Sequence, residues 1–176
     1  MSKKLFQVEF LSTTTDELLI SLIYHRQLDE TWVDEATQLE KQLGLSIIGR
    51  ARKQRLVLSR DFVTESLSVL QTTYRYQQQE NSFTQPNAAI NTQMISWVCR
   101  FAEANNKHMK TDLLELFCGN GNFTIPLSRH YEQVLATEVS KTSIRSAKKN
   151  CELNQVSNIE FIRLSSEETV EALNQT

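Results

Sequence analysis

The sequence has no apolar run long enough to cross a bilayer, no CxxC pair, only four glycines in 176 residues and almost no net charge. Each absence removes a class of function. Without roughly 20 consecutive apolar residues no membrane-spanning helix is expected. The opening Met1-Ser2-Lys3-Lys4-Leu5-Phe6 lacks the pattern of a secretory leader, so a cytoplasmic protein is expected. Cys99, Cys118 and Cys151 are scattered and odd in number, as are His25, His108 and His130, so neither a disulfide framework nor a metal site is read here. A net charge of -2 gives no overall pull toward nucleic acid, and any RNA contact needs a local basic patch. What remains, 40% hydrophobic and 23% charged without repeats or low-complexity tracts, is the composition of a folded globular protein. The length fits one domain, or a small domain with part of another.

Two textures meet near Glu80. Before it, strands are expected at 5–11, 17–24, 45–50, 55–58 and 73–78, with one helix after Asp29 or Thr31. Trp32, Ala36, Leu39 and Leu43 form that helix's apolar stripe, and Gly44 stands where it should stop. Residues 1–80 therefore read as a small α+β domain. From Asn81 the rhythm changes to a helix over 88–104, with Ile90, Met94, Trp97, Val98 and Phe101 as its apolar face. Strands then alternate with helices: a buried strand at 112–117, a helix at 123–129, a strand at 133–137, a helix at 141–153, a strand at 159–163 and a helix at 166–173. Such alternation implies α/β architecture with a parallel sheet. Residues 81–176 thus read as the first half of a doubly wound nucleotide-binding domain, because strands of the other half do not appear.

The strongest local signal is Leu113-Leu114-Glu115-Leu116-Phe117-Cys118-Gly119-Asn120-Gly121-Asn122-Phe123. Two of the four glycines lie here, after a strand and before a helix, where glycine permits a sharp turn and close approach of a ligand to the backbone. The next strand ends in Ala136-Thr137-Glu138, and an acid there is placed to accept from ribose hydroxyls. A dinucleotide site wants a third glycine, but Thr124 occupies its position. A cofactor without phosphate, served by polar side chains such as Asn122, fits better than NAD, which stays open on these residues alone.

Glu80-Asn81-Ser82-Phe83-Thr84-Gln85-Pro86-Asn87-Ala88, followed by the glycine segment and Leu135-Ala136-Thr137-Glu138, resembles the tRNA (uracil-5-)-methyltransferase family. The similarity reaches back through Lys4-Leu5-Phe6-Gln7, Leu22-Ile23-Tyr24-His25 and Ile47-Ile48-Gly49-Arg50-Ala51. Enzymes that methylate 23S ribosomal RNA share the glycine segment but differ where Pro86 and Asn120 stand. The resemblance implies an incomplete class I methyltransferase sheet of Rossmann-like form, with S-adenosylmethionine as cofactor. It implies formation of 5-methyluridine at position 54 of the tRNA T arm, and an RNA-facing role for residues 1–80. Carried over by position, cofactor contacts fall on Gln85, Phe117, Asn122 and Glu138, around the turn glycines Gly119 and Gly121.

The family's reaction needs a cysteine that adds to uracil C6 and a carboxylate that removes the C5 proton. The family's cysteine lies in a Ser-Cys-Asn-Pro context that none of the three cysteines shares, so no catalytic residue is assigned and the chain alone is expected to be inactive. RNA contacts are expected at Phe6 and Phe83 by stacking, and at Arg50, Arg52 and Lys53 on phosphates. Two other readings are a 23S ribosomal RNA enzyme and a non-catalytic RNA-binding module. The strand at 112–117 lacks its second neighbour, so self-pairing into a dimer is expected.

Overall fold

The computed structural model describes residues 4–106 and 111–174. The chain divides into two compact units, one running to Glu65 and including Gln78–Asn81, the other comprising Ser66–Gln77 and the chain from Ser82 onward.

In the first unit, β1 (Leu5–Ser12), β2 (Leu18–Tyr24), β3 (Ser46–Ala51) and β4 (Gln54–Val57) form a sheet in that order. β2 and β3 are parallel, so the chain must cross over between them. α1 (Glu30–Leu43) makes the crossover. Its start is set by Asp29, whose carboxylate accepts the Trp32 N–H at 2.9 Å, and its end by Gly44 at φ 66. Trp32 and Ala36 are buried against the sheet, whereas Leu43, expected on the same stripe, is 53% exposed. It is the helix's last residue, where little lies beneath it. The Trp32 ring seats on β3 at Gly49, where a Cβ would overlap it and lie 2.5 Å from Leu28 Cδ1. On β1 the register shifts between Leu5 and Gln7. Phe6, at that irregularity, is 62% exposed and meets His25 edge-on with ring centres 4.3 Å apart.

Glu80 closes this unit as a buried ionic hub. Its carboxylate accepts from Ser21 Oγ at 2.9 Å, from Arg50 Nε at 2.6 Å and from Arg55 Nε at 3.3 Å. Burial alone would raise this carboxyl, but hydrogen bonds from Arg50 and Ser21 and the nearby arginine charges outweigh it and hold Glu80 below the usual carboxylate range.

β5 (Phe62–Val69) and β6 (Thr72–Gln79) form a hairpin closed by two residues, with Leu70 at φ 53. β5 is absent from the sequence expectation. Val63, Glu65, Leu67 and Val69 face inward, so a glutamate interrupts the apolar alternation that marks a strand. The Thr14 N–H and hydroxyl satisfy that carboxylate.

In the second unit, β7 (Leu113–Leu116), β8 (Val134–Thr137) and β9 (Ile159–Ile162) form a parallel sheet in that order. α3 (Thr124–Leu127), continued by a 3-10 turn at Ser128–His130, and α4 (Lys141–Asn154) are the crossovers, and α5 (Ser166–Asn174) follows β9. Leu67, Val69, Tyr74 and Tyr76 of the hairpin share a core with residues of α3, α4 and α2 (Ala88–Asn105). Two expectations are corrected here. α2 buries Asn91, Ile95, Cys99 and Ala102, while Ile90, Trp97 and Phe101 of the expected apolar face stand exposed. The helix is apolar nearly all round, so periodicity did not discriminate its faces. β7 is also not buried on both sides: Leu114 and Leu116 are 39% and 38% exposed, because one face is open and β8 is its one partner among the described residues.

Among the described residues no third strand joins the hairpin. Asn154 takes the place of one at Arg75, accepting its N–H at 2.9 Å and donating to its carbonyl at 2.7 Å. Asn150 does the same at Gln77, at 2.7 and 3.4 Å. The spacing explains the fit: residues i and i+4 of a helix rise about 6 Å, and residues i and i+2 of a strand about 6.7 Å.

Gly49→Ala should lower unfolding stability by about 1–3 kcal/mol, the usual effect of overpacking a core. Urea denaturation of the two proteins measures it, and equal midpoints would mean that Trp32 yields without strain.

Candidate functional site

β7 ends at Leu116 and the chain reverses through three residues in the left-handed region: Phe117 at φ 57, Gly119 at φ 57 and Gly121 at φ 84. Gly121 needs its missing side chain, since a Cβ would lie 3.2 Å from Ile125 Cδ1. A Cβ on Gly119 would meet nothing within 4 Å, so that side of the turn is open space. An aromatic at positive φ is strained by about 1–2 kcal/mol. Phe117 accepts that conformation with its ring 65% exposed, on the surface beside the turn rather than in the core.

Glu138 organises the other side. It follows β8, and its Oε2 accepts the Gly119 N–H at 3.1 Å while its Oε1 accepts the Ser140 N–H at 2.8 Å. The acid of the second strand is thereby joined to the glycine turn of the first. Each carboxylate oxygen retains capacity for a further donor.

Three side chains outside the turn hold it. Asn91 of α2 and Asn122 form a reciprocal amide pair, at 2.9 and 2.8 Å. Tyr76 Oη donates to the Asn122 carbonyl at 3.1 Å, and Asn150 Nδ2 to the Asn120 carbonyl at 3.0 Å. The sequence reading missed all three. Buried asparagines on helix faces were the available signal, but an asparagine's partners are set by tertiary contact. Gln85 lies half-buried ahead of Asn87, whose side chain caps α2 by accepting the Ile90 N–H. No hydrogen bond among the described residues joins Gln85 to the turn.

The three thiols are ill suited to nucleophilic work. Burial pushes Cys99 and Cys151 up to about 11 and Cys118 up to about 12, so all are neutral near pH 7. The described residues contain no group of His, Cys, Asp and Glu that could hold a metal ion. No helix in them is long and apolar enough to cross a membrane.

Of the residues read as RNA contacts, Phe83 is 87% exposed, and Arg52 and Lys53 are exposed at the β3–β4 turn. Arg50 is held by Glu80 through both Nε and Nη2 rather than presented to solvent alone.

Glu115 of β7 points beneath the turn. Burial raises it to about 7; Thr124 pulls the other way, yet Glu115 Oε2 and Thr124 Oγ1 are both buried without a hydrogen-bond partner. The folded chain therefore holds a proton on Glu115 that the unfolded chain releases near 4.5. Stability should fall as pH rises from about 4.5 to about 7, by up to roughly 3 kcal/mol, and level off above. Glu115→Gln should remove that slope in denaturation curves taken from pH 4.5 to 8. An unchanged slope would assign it to other groups.

The tRNA (uracil-5-)-methyltransferase family model matches residues 1–176. The tRNA/tmRNA (uracil-C(5))-methyltransferase of Aliarcobacter butzleri is 51% identical over 175 residues, covering 99% of this chain and 46% of that protein. The protein of the same description from Cellvibrio japonicus is 54% identical over 170 residues, covering 97% and 45%. The chain thus spans about half the length of these relatives. Among solved structures, the Pyrococcus abyssi tRNA (uracil-54, C5)-methyltransferase in complex with S-adenosyl-L-homocysteine aligns with TM-score 0.61 at 21% identity, over 87% of this chain and 37% of that one. The aTrm5–tRNALeu complex aligns with TM-score 0.53 at 16% identity, over 93% and 49%. These two likenesses establish a methyltransferase fold of α/β type, as expected from the alternating second half. By the family match and the identity of its relatives, the chain belongs to the tRNA (uracil-5-)-methyltransferase family.

Proposed function

We propose that this chain supplies the cofactor-binding part of an enzyme that transfers a methyl group from S-adenosylmethionine to C5 of a tRNA uridine, position 54 in the T arm. The observation that carries the reading is the Glu138 carboxylate bonded to the Gly119 N–H, with Phe117 exposed two residues earlier in the turn and open space over Gly119. That arrangement fits an adenosyl group: a carboxylate with free lone pairs for two ribose hydroxyls, an aromatic surface for a base, and a backbone that a ligand can approach. When bound, S-adenosylmethionine supplies the electrophilic methyl. In this reading Glu138 orients the ribose, Phe117 packs on the adenine, and Gly119 and Gly121 keep the turn clear. Asn122 and Gln85 face the methionine end. For Asn122 this rests on the capacity its amide retains beyond Asn91.

The first unit is read as RNA-facing, with Phe6 as a stacking aromatic and Arg52 and Lys53 as phosphate contacts; Phe83 of the second unit adds a further stacking ring. The claim of Arg50 on phosphate is weaker, since Glu80 already takes its charge. The chain by itself is read as unable to turn over, because none of its cysteines stands in the family's Ser-Cys-Asn-Pro context and all three are buried. A cytoplasmic location follows from a tRNA substrate.

Binding is tested by titrating S-adenosylhomocysteine into the chain and following the amide signals of Gly119 and Gly121 by NMR. Affinity in the millimolar range, near -4 kcal/mol, is expected of a chain that spans about half the length of its relatives. Phe117→Gly should weaken it several-fold while leaving thermal stability equal or higher, since glycine relieves the positive-φ strain and little burial is lost. Signals that never move at saturating ligand would end the cofactor reading.

The bare β7 edge, with Leu114 and Leu116 partly exposed, supports self-association of the isolated chain. Light scattering should return the mass of a dimer or larger, and a monodisperse monomer would refute it.

A further inference from the structure

The glycine turn bonds its own residues sparingly, and its shape depends on what grips it from outside. Two of its carbonyls, at alternate residues, are taken by side chains from different elements. The Asn120 carbonyl accepts from Asn150 Nδ2 at 3.0 Å, and the Asn122 carbonyl from Tyr76 Oη at 3.1 Å. Both donors come from buried residues, Asn150 at 0% and Tyr76 at 1% exposure, so each would be left without a partner if its turn carbonyl moved away. A trans peptide is planar, with its C=O and N–H on opposite sides. Holding a carbonyl inward therefore restrains its whole peptide plane, and the planes that flank the Gly121–Asn122 peptide are both restrained this way.

Asn150 differs from Asn154, one helical turn away. Both clamp the open edge of β6, Asn154 at Arg75 and Asn150 at Gln77. Asn150 alone also reaches the turn, so its amide bridges the hairpin edge and the loop at once. Tyr76 sits beside Gln77 on the same strand, with its ring in the core and its hydroxyl on the turn. The strand that Asn150 clamps is thus the strand that delivers the second donor.

We propose that Asn150 and Tyr76 are positioning residues for the cofactor turn: acting through the Asn120 and Asn122 carbonyls, they hold Gly119, Gly121 and Asn122 in the ligand-receiving conformation before ligand arrives. The proposal deepens the cofactor reading above and rests on it. Neither residue touches the ligand in this scheme. Its consequence is preorganisation: loosening the turn costs affinity because the ligand must then order it.

The test uses the full chain and three variants. Tyr76→Phe removes one hydroxyl and keeps the ring in the core, so it should fold. Asn150→Ala removes the second grip. Asn154→Ala is the structural control, deleting an equivalent edge clamp that does not reach the turn. Amide hydrogen exchange at Gly119, Gly121 and Asn122, thermal midpoints and S-adenosylhomocysteine titrations are measured on each. Tyr76→Phe and Asn150→Ala should accelerate exchange at those three amides about tenfold or more and weaken ligand binding several-fold. Asn154→Ala should lower the thermal midpoint about as much as Asn150→Ala, with turn exchange and affinity within twofold of the unaltered chain. If Tyr76→Phe exchanges and binds like the unaltered chain, the proposal fails whether or not Asn150→Ala folds. If the control loosens the turn as much as the other two, the effect is general destabilisation and the proposal fails. If the unaltered chain binds no S-adenosylhomocysteine, the cofactor reading falls first and takes this proposal with it.

Discussion

A two-stranded hairpin leaves a free edge of backbone donors and acceptors on each strand, and where such an edge is covered by another element its groups need partners from that element. Here the β5–β6 hairpin meets that constraint with side-chain amides: Asn150 and Asn154 supply to Gln77 and Arg75 the bonds a third strand would make. Much else in the second unit follows from that contact. It orients α4 along β6, it brings the Tyr76 hydroxyl to the Asn122 carbonyl, and it carries the Asn150 amide to Asn120. The glycine turn is then shaped by elements distant from it in sequence. Asparagine suits this role because its amide presents a donor and an acceptor side by side, matching the N–H and C=O that one strand residue turns toward the same edge.

The turn also shows where local preference has been overruled. Phe117 in the left-handed region is strained and exposed, two features that fold stability alone would select against. Glu115 adds a second such feature, a half-buried carboxyl two residues before Phe117 whose Oε2 is buried without a hydrogen-bond partner. Strain and an unmet carboxylate oxygen thus meet at one bend, where a ligand is proposed to sit, while the buried carboxylates at Glu65 and Glu80 are well bonded. The first unit's buried charge is neutralised by two arginines, and its helix is seated by a tryptophan fitted over a glycine. Its exposed features lie on the surface, at Phe6 beside His25 and at the β3–β4 turn.

Much of this was legible residue by residue. The glycine pair between strand and helix, the acid at the tip of the next strand, the Asp29 and Gly44 limits of α1 and the strand–helix alternation after Asn81 are local signals. They depend on backbone sterics and on hydrogen bonds a few residues long, which neighbours in sequence decide. What the sequence left open depended on which surfaces meet. α2 carries apolar residues nearly all round, and its buried side is decided by what packs against Ile95 and Cys99 rather than by the stripe of Trp97 and Phe101. β5 was hidden by an inward glutamate whose partner, Thr14, lies 51 residues away. Arg50 reads as a free cation in sequence and is tied in space to Glu80, 30 residues on. The Asn91, Tyr76 and Asn150 contacts on the turn span 31, 46 and 30 residues. A polar side chain announces what it can bond, not what it will bond. The sequence by itself determined the turn, its acid and the order of elements, because those are short-range matters of φ, capping and periodicity; the tertiary structure alone decided which distant amide, hydroxyl or charge completes each of them.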